Sequence, residues 1–549
     1  MLDLKTDIQK LIKGEVDDSQ DTLALLSHDA SLFELKPRLV IAPDGSADVQ
    51  KLVKFVTEQK KTDSSLYITA RSGGTDMSGG AISQSLLLDF AKHFDKVLNV
   101  SKTEARAQPG VYYRNFEPKT LAKGVLMPSF PASRELCTLG GMVANNSGGE
   151  LSLKYGKTLD YVKELKVVLA DGNEYAVKPL SKKELDKKMA QKDFEGQVYK
   201  KVFRLVDRHY DKIKAAKPNV SKNSTGYNLW DIWDRDSGVF DLTKAIVGSQ
   251  GTLGLITDIK FKLVPKEPFS GVLVCFMKKT DQLGEIINTV LTQKPTTFES
   301  FDNYTLNLSI KFFPYFRHSL GWRGLIKLAI QLIPDALIMF KGVPQLILLI
   351  EFTGQTQQEV NTKLKVMRVI LEQNHLEGME MDETPSKAWK FRIMRRESFN
   401  LLRKKVKDKH TAAFIDDVVV PPKHLPEFLP KLRKIINKYK LLATVAGHMG
   451  DGNFHVIPLM NIETKKDRDK LEPAMREVND LVLGYGGSIS GEHNDGMIRG
   501  PWLRHMYGNE VAGYFKDLKY IFDPEGIFNP HIKATSDWSF SMAHLRQNF

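Results

Sequence analysis

Two cysteines, Cys137 and Cys275, are all that the 549 residues contain. So few exclude a disulfide framework and a Cys-ligated iron–sulfur cluster within the chain. No run of 18 or more apolar residues occurs, so no spanning helix is expected. The start, "MLDLKTDIQKLIKGEVDD", is too charged for a secretory signal, and a reducing cytoplasmic location is expected. Internal repeats and low-complexity tracts are also missing. What is present is an ordinary soluble composition, 42% hydrophobic and 26% charged, on a chain long enough for three or four units of about 150 residues. The net charge of +13 favours anionic partners. Its lysines are spread over stretches such as "SKKELDKKMAQKDFEG", which read as solvated helix faces, so nucleic acid is not the expected partner.

Strand and helix patterns alternate through the first half. "RLVIAP" reads as a strand and "SADVQKLVKFVTEQ" as a helix, with Ser46 as N-cap and Val49, Leu52, Val53 and Val56 at helical spacing. "SLYITARSGG" and "SLLLDF" read as short buried strands. The proline-bounded end of "GLITDIKFKLVPKEP" marks a boundary near residue 267. Beyond it, "SGVLVCFM", "DQLGEIINTVLTQ", "PQLILLIEFTG" and a helix over about 355–374 make an α+β unit, interrupted by the compositionally odd stretch 311–343.

Three glycine-rich stretches fall in the first unit: "ARSGGTDMSGG", "TLGGMVANNSGG" and "VGSQGTLG". None matches the dinucleotide fingerprint or the nucleotide P-loop. Glycine lets backbone N–H groups approach a phosphate and line up as an anion nest, so three such loops in one α/β unit suggest a cofactor with a long phosphate-bearing body.

In the second half, "AGHMGDGNFHVIPL" places His448 and His455 around a Gly-Asp-Gly turn. A two-residue turn at Asp451-Gly452 would make the histidines direct cross-strand partners, with Cβ atoms roughly 4.5–5.5 Å apart, close enough to share a metal. Two solvated histidines on an edge hairpin are the alternative. Further on, "GGSISGEHNDGMIRG" carries Glu492 and His493 after an expected short strand, "SISG". A carboxylate beside two histidines suits Zn²⁺, Mn²⁺ or Fe²⁺.

Together these motifs resemble the FAD-linked D-2-hydroxyacid dehydrogenases, a branch of the vanillyl-alcohol-oxidase-type flavoproteins that includes D-lactate dehydrogenase, the glycolate oxidase flavin subunit and D-2-hydroxyglutarate dehydrogenase. The resemblance covers roughly residues 25–535. It implies an α+β fold: an N-terminal helical segment (1–35), a two-part FAD domain (36–267), an α+β cap or substrate domain (268–505), and a C-terminal segment (506–549) returning to the flavin. Arg71, Ser72, Gly73, Gly74 and Thr75 resemble the pyrophosphate loop. Pro128, Ser129, Gly140, Gly141, Asn145, Gly148 and Gly149 resemble the second flavin loop, and Gly248, Gly251, Thr252, Leu253, Gly254 and Ile256 the third. Asn529 is implied near the flavin. Thr75 stands where covalently flavinylated members often have histidine, which implies non-covalent FAD.

By the same resemblance His448, His455 and Glu492 are metal ligands and His493 the general base. Arg395 or Arg392, in "AWKFRIMRRESF", would clamp the substrate carboxylate, with Arg395 favoured, and Asn223 and Tyr227 of "SKNSTGYNL" would lie near the substrate. The implied reaction is oxidation of a small anionic D-2-hydroxyacid, D-lactate or D-2-hydroxyglutarate first. Its electrons would pass to a quinone, a cytochrome or an electron-transfer protein. Sugar or alcohol oxidase chemistry, ether-lipid synthesis and a non-catalytic flavin subunit are the alternatives. A homodimer is compatible with the sequence. Two positions depart from the family pattern: Glu-His is followed by Asn494-Asp495-Gly496, and the terminal Asn-Pro-Gly-Lys reads Asn529-Pro530-His531-Ile532-Lys533.

The stretch 312–344 points to the membrane surface. From Leu325 to Phe340 its polar residues Lys327, Gln331 and Asp335 are spaced four apart, a narrow stripe on an otherwise apolar helix, with aromatic and basic residues upstream. The run is too short and interrupted to span, so peripheral contact with the cytoplasmic membrane face is expected, with burial in the cap or in a dimer interface as the alternative.

Overall fold

The computed structural model describes residues 4–279, 282–303, 321–327, 329–330, 344–373, 379–382 (backbone) and 409–547. Three sheets organise them. The first has the order Glu15–Asp17, Leu39–Ala42, Leu86–Asp89, Ile68–Arg71, with the last three parallel and the first an antiparallel edge. Helix Ser46–Gln59 buries Val49, Leu52, Val53 and Val56, the stripe its spacing anticipates. Ser46 is the first helical residue rather than its N-cap. Gly45 takes that place in extended conformation, and Asp48 turns back to accept N–H bonds from Lys13, Gly14 and Asp44.

The second sheet is antiparallel, in the order Val97–Val100, Glu104–Ala107, Leu255–Lys262, Val162–Val168, Glu174–Val177. Leu255–Lys262 alternates buried and half-buried residues, the signature of one face packed on a core. The third and largest sheet runs Met379–Asp382, Phe269–Met277, Leu346–Gly354, Thr297–Asp302, Leu442–His448, Asn453–Met460, His410–Thr411, with Val418–Val419 also pairing to Asn453–Met460. Strands Phe269–Met277 and Leu346–Gly354 bury the apolar runs Val272–Met277 and Leu346–Ile350, and helices Leu283–Thr292, Gln357–Gln373, Leu425–Lys438 and Leu471–Gly484 join the same apolar core. Helix Leu503–Phe522 returns to pack on Phe194–Arg208 of the first half.

The segment around residues 29–33 joins the first glycine loop to the C-terminal segment. Phe33 bridges Leu545, the Ala30 N–H donates to the Asp76 carbonyl, and Asp29 accepts from the Ser31 N–H at 2.9 Å. Burial, followed by the neighbouring Asp76 carboxylate, pushes the Asp29 carboxyl up to about 7. An unfolded aspartate ionises near ~4, so between pH ~4 and 7 the folded chain holds one more proton, and stability falls as pH rises through that window. Asp29→Asn keeps the acceptor and removes the charge. It is expected to raise the thermal midpoint by roughly 1–3 °C at pH 8 and hardly at all at pH 4, as read by parallel melting curves.

Candidate functional site

The tip of the Leu442–His448/Asn453–Met460 hairpin differs from a two-residue turn. A 3₁₀ turn, Met449–Asp451, followed by Gly452 at φ +66° makes a four-residue connection. A Cβ at Gly452 would run into the Val420 carbonyl, so only glycine fits. The register therefore pairs His448 with Asn453 and Ala446 with His455. The two histidines are diagonal neighbours, not direct partners, yet the period of two keeps them on one face. Their ring centroids are 5.4 Å apart and nearly perpendicular.

The loop after helix Leu471–Gly484 comes to meet them. Its "SISG" stretch is not a strand; only Ser488 bridges Val419. Instead, Asp417 holds the loop by side-chain bonds: one carboxylate oxygen accepts the N–H groups of Glu492 and His493, each at 2.7 Å, and the Ser490 hydroxyl at 2.6 Å. This brings Glu492 between the histidines. His448 Nε2 lies 3.6 Å from Glu492 Oε1 and His455 Nε2 lies 3.8 Å from Oε2. The opposite ring nitrogens are engaged by buried carboxylates: His448 Nδ1 with Glu299 at 2.7 Å, His455 Nδ1 with Asp416 at 3.2 Å, and His493 Nδ1 with Asp416 at 2.5 Å. Carboxylates on the far nitrogens leave Nε2 for a cation, the arrangement that orients ligating histidines. Asp417, His455, Glu492 and His493 each offer a donor atom within 4.8 Å of the others, with His448 joining through Glu492. This donor set fits a divalent cation.

The electrostatics are strongly coupled. Burial disfavours a charged His448, but the Glu299 carboxylate overrides it and holds the imidazole up at about 9. Burial likewise opposes charge on His493, and Asp416 and Asp417 hold it up at about 9. Added positive charge from a cation in this cluster would disfavour both imidazolium forms. Burial would raise the Glu492 carboxyl, yet Lys222 and His448 keep it well below the usual carboxylate range. Lys222 is itself fully buried, with its ammonium 2.6 Å from Glu492 Oε1 and 3.0 Å from Asp451. A second buried lysine, Lys157, donates to the Gly491 and Asn223 carbonyls and to the Ser224 hydroxyl. Burial pulls it down to about 8, against the pull of Asp417 and Glu492.

The three glycine loops converge beside this cluster. The Arg71 guanidinium folds over Gly74, at φ +63°, and donates to the Ala81 carbonyl at 3.1 Å. A Cβ at Gly141 would meet only Thr138 at 3.4 Å and Ser72 at 3.9 Å, and one at Gly251 only Ala70 at 3.7 Å. Gly141 and Gly251 thus present bare backbone on the side of the first loop. Gly248 and Gln250 donate to carbonyls of helix Leu139–Asn145, and Asn529 donates to both Gly80 and Gln250, tying the first and third loops together. The second loop touches the histidine cluster. Asn145 Nδ2 donates to the Glu492 carbonyl at 2.7 Å, and a Cβ at Gly148 would stand 3.1 Å from Glu492 Oε1. Asn145 Oδ1 is buried with no partner among the described residues, an acceptor awaiting a donor. Bare glycine backbone and this orphaned oxygen fit FAD.

Pro128 is buried, and Ser129 bonds Thr158. Thr75 and Gly149 lie on the first and second loops, and the Gly149 carbonyl accepts from Lys222 at 3.3 Å. Thr252 bonds the buried Tyr227 hydroxyl at 2.7 Å, Gly254 leads into strand Leu255–Lys262, and Ile256 pairs with Val167. Asn223 accepts from Ser488 and Thr225. Arg392 and Arg395 lie outside the described residues, as does most of 312–344. The two family departures meet each other. Lys533, fully buried, donates to Asn494 Oδ1 at 2.6 Å and Asp495 Oδ2 at 2.7 Å, while Asn494 donates to Asn145 and Gly248. Sequence reading alone missed Glu299, Asp416, Asp417, Lys157 and Lys222. Paired aspartates inside the apolar run "AAFIDDVVV" were the visible signal for two of them.

The fold and these loops define a flavin-binding protein of the vanillyl-alcohol-oxidase type. The chain belongs to the FAD-linked oxidases: residues 37–177 match the model "FAD binding domain" and residues 267–532 match "FAD linked oxidases, C-terminal domain". It is 25% identical to a D-2-hydroxyglutarate dehydrogenase of Pantoea ananatis, over 92% of this chain and 48% of that one, so the chain spans about half the length of that relative. It is 26% identical to the glycolate oxidase subunit GlcD of Bacillus subtilis, over 94% of this chain and 93% of that one. Among solved structures, 4-ethylphenol oxidase from Gulosibacter chungangensis superposes with a TM-score of 0.67 at 14% identity, over 96% of each chain, a likeness of fold.

Proposed function

We propose that this chain oxidises a D-2-hydroxyacid, D-lactate or D-2-hydroxyglutarate first, to the 2-oxoacid, using non-covalent FAD and a divalent cation. The observation that carries this reading is the convergence of His448 and His455 Nε2 on Glu492, beside His493 and against the second glycine loop. When bound, FAD supplies the hydride acceptor and the cation a Lewis acid for the hydroxyl oxygen. The chain's own part is to take the hydroxyl proton on His493 and to orient the carboxylate, through Arg395 or Arg392. Oxidase or ether-lipid chemistry on the same fold would not call for this donor set. Anaerobic mixing with paired D- and L-2-hydroxyacids tests the reading. D-Lactate or D-2-hydroxyglutarate is expected to bleach the flavin, and bleaching by L-lactate alone refutes the stereochemistry.

The electron acceptor in this reading is a quinone or another respiratory carrier, reached from the cytoplasmic membrane face. Trp322, Ile326 and Ile330 recur four residues apart and are 64%, 56% and 61% exposed, an apolar stripe beside Arg323 and Lys327. No helix among the described residues is long and apolar enough to cross a membrane. The protein is expected to float with anionic liposomes, and Trp322→Ser/Ile326→Ser to reduce the floated fraction several-fold. Failure of the intact, folded protein to float would assign the stripe to internal or subunit packing.

A further inference from the structure

We propose that Asp416 is a positioning residue that sets the hydrogen placement and ring orientation of His455 and His493 together. The proposal rests on the reading of His455 as a cation ligand and His493 as the base. Asp416 is buried, and its two oxygens are divided between two rings: Oδ1 to His455 Nδ1 and Oδ2 to His493 Nδ1. Those rings stack with centroids 5.0 Å apart and 23° between planes. The Asp416 carbonyl is pinned by the buried Arg499 guanidinium at 3.0 Å, so the carboxylate has a fixed base.

The neighbouring aspartate explains how one dipeptide serves both backbone and side chains. In an extended strand, successive side chains point to opposite faces. Asp417 has φ +70°, in the left-handed region, and this turn lets both carboxylates face the 490–493 loop. Asp417 holds the loop's N–H groups, while Asp416 holds the rings that the loop and hairpin deliver.

A carboxylate is an acceptor only. A ring bonded to it must therefore carry a hydrogen on Nδ1, and the neutral ring then leaves its Nε2 lone pair toward the cluster. Its two separate oxygens let it accept from both rings at once. Asparagine offers one acceptor and one donor. In Asp416→Asn one histidine keeps its bond, and the other must accept on Nδ1, which moves its hydrogen to Nε2 and disables that atom as ligand or base.

The test uses FAD-loaded full-length protein with ¹⁵N-labelled histidine, Zn²⁺ as the probe cation, and His455 and His493 signals assigned from single variants. In the Zn²⁺-loaded native protein both rings are expected to carry Nδ1–H; an Nε2–H form at either would overturn the proposal. This measurement stands even if a variant fails to fold. Asp416→Asn is expected to retain FAD and to show Nε2–H at one ring. If that ring is His455, Zn²⁺ affinity falls about 10- to 100-fold; if it is His493, Zn²⁺ stays and flavin reduction falls at least tenfold. Unchanged ¹⁵N signals, Zn²⁺ affinity within twofold and unchanged reduction in Asp416→Asn would likewise overturn it. Should no D-2-hydroxyacid reduce the native flavin, the functional reading fails, while the ¹⁵N and Zn²⁺ readouts still decide the role of Asp416.

Discussion

Glu492→Gln is expected to lose most of its bound cation, and about 10²-fold or more of its flavin reduction by substrate, while FAD stays bound. Glutamine preserves the shape of the site, and its amide oxygen can still accept from Lys222, which also keeps Asp451 as partner. The fold is therefore not asked to bury a lone ammonium, the usual reason that removing one member of a buried pair is severe. What disappears is the negative charge between the His448 and His455 Nε2 atoms, and with it most of the attraction for a divalent ion. The glycine loops make their contacts through backbone and Asn529, so flavin retention should separate from cation loss. Metal analysis, flavin absorbance and anaerobic stopped-flow on one preparation check all three quantities. Substrate reduction at the native rate in a cation-free Glu492→Gln protein would remove the cation from the reaction.

For His493→Ala the expected loss is in turnover alone, about 10²–10⁴-fold, or ~3–5 kcal/mol of barrier, with FAD and cation both kept. His493 reaches the cluster from the loop side, stacked on His455 and held by Asp416, whereas His448, His455 and Glu492 form their own set around the carboxylate. Yet His493 also lies within ligand distance of Asp417, His455 and Glu492. The variant therefore decides between two roles. Loss of the cation along with turnover would place His493 among the ligands. A loss below tenfold, with flavin reduction rate-limiting, would deny it the role of base.

Much of this protein was legible in its residue order. The apolar runs Val272–Met277 and Leu346–Ile350 read as strands, and the fold buries them because a strand inside the sheet packs both faces. The helical stripe of Val49, Leu52, Val53 and Val56 read directly, since amphipathic period is a local property. His448 and His455 could be put on one face by counting in twos, and this survived the wrong turn length because parity is unchanged between a two- and a four-residue connection. The turn length itself was not legible: it depends on the Val420 carbonyl crowding Gly452, a contact from a distant segment.

The remaining features belong to tertiary structure, for one physical reason. A charge can be buried only if partners from elsewhere in the chain satisfy it, and the identity of those partners is not a local property. Glu299, Asp416 and Lys222 look like ordinary polar residues in the chain order, separated from the groups they hold by 149, 77 and 270 positions. The departures at Asn494-Asp495 and Lys533 looked like two independent losses of a motif until folding joined them in one buried ion pair. Residue order settled which residue types were available for the glycine loops and for a cluster of histidines and carboxylates. Only the packing of the hairpin, the 490–496 loop and the returning C-terminus decided which carboxylate faces which imidazole, because those distances are set by three segments that meet nowhere but in the folded core.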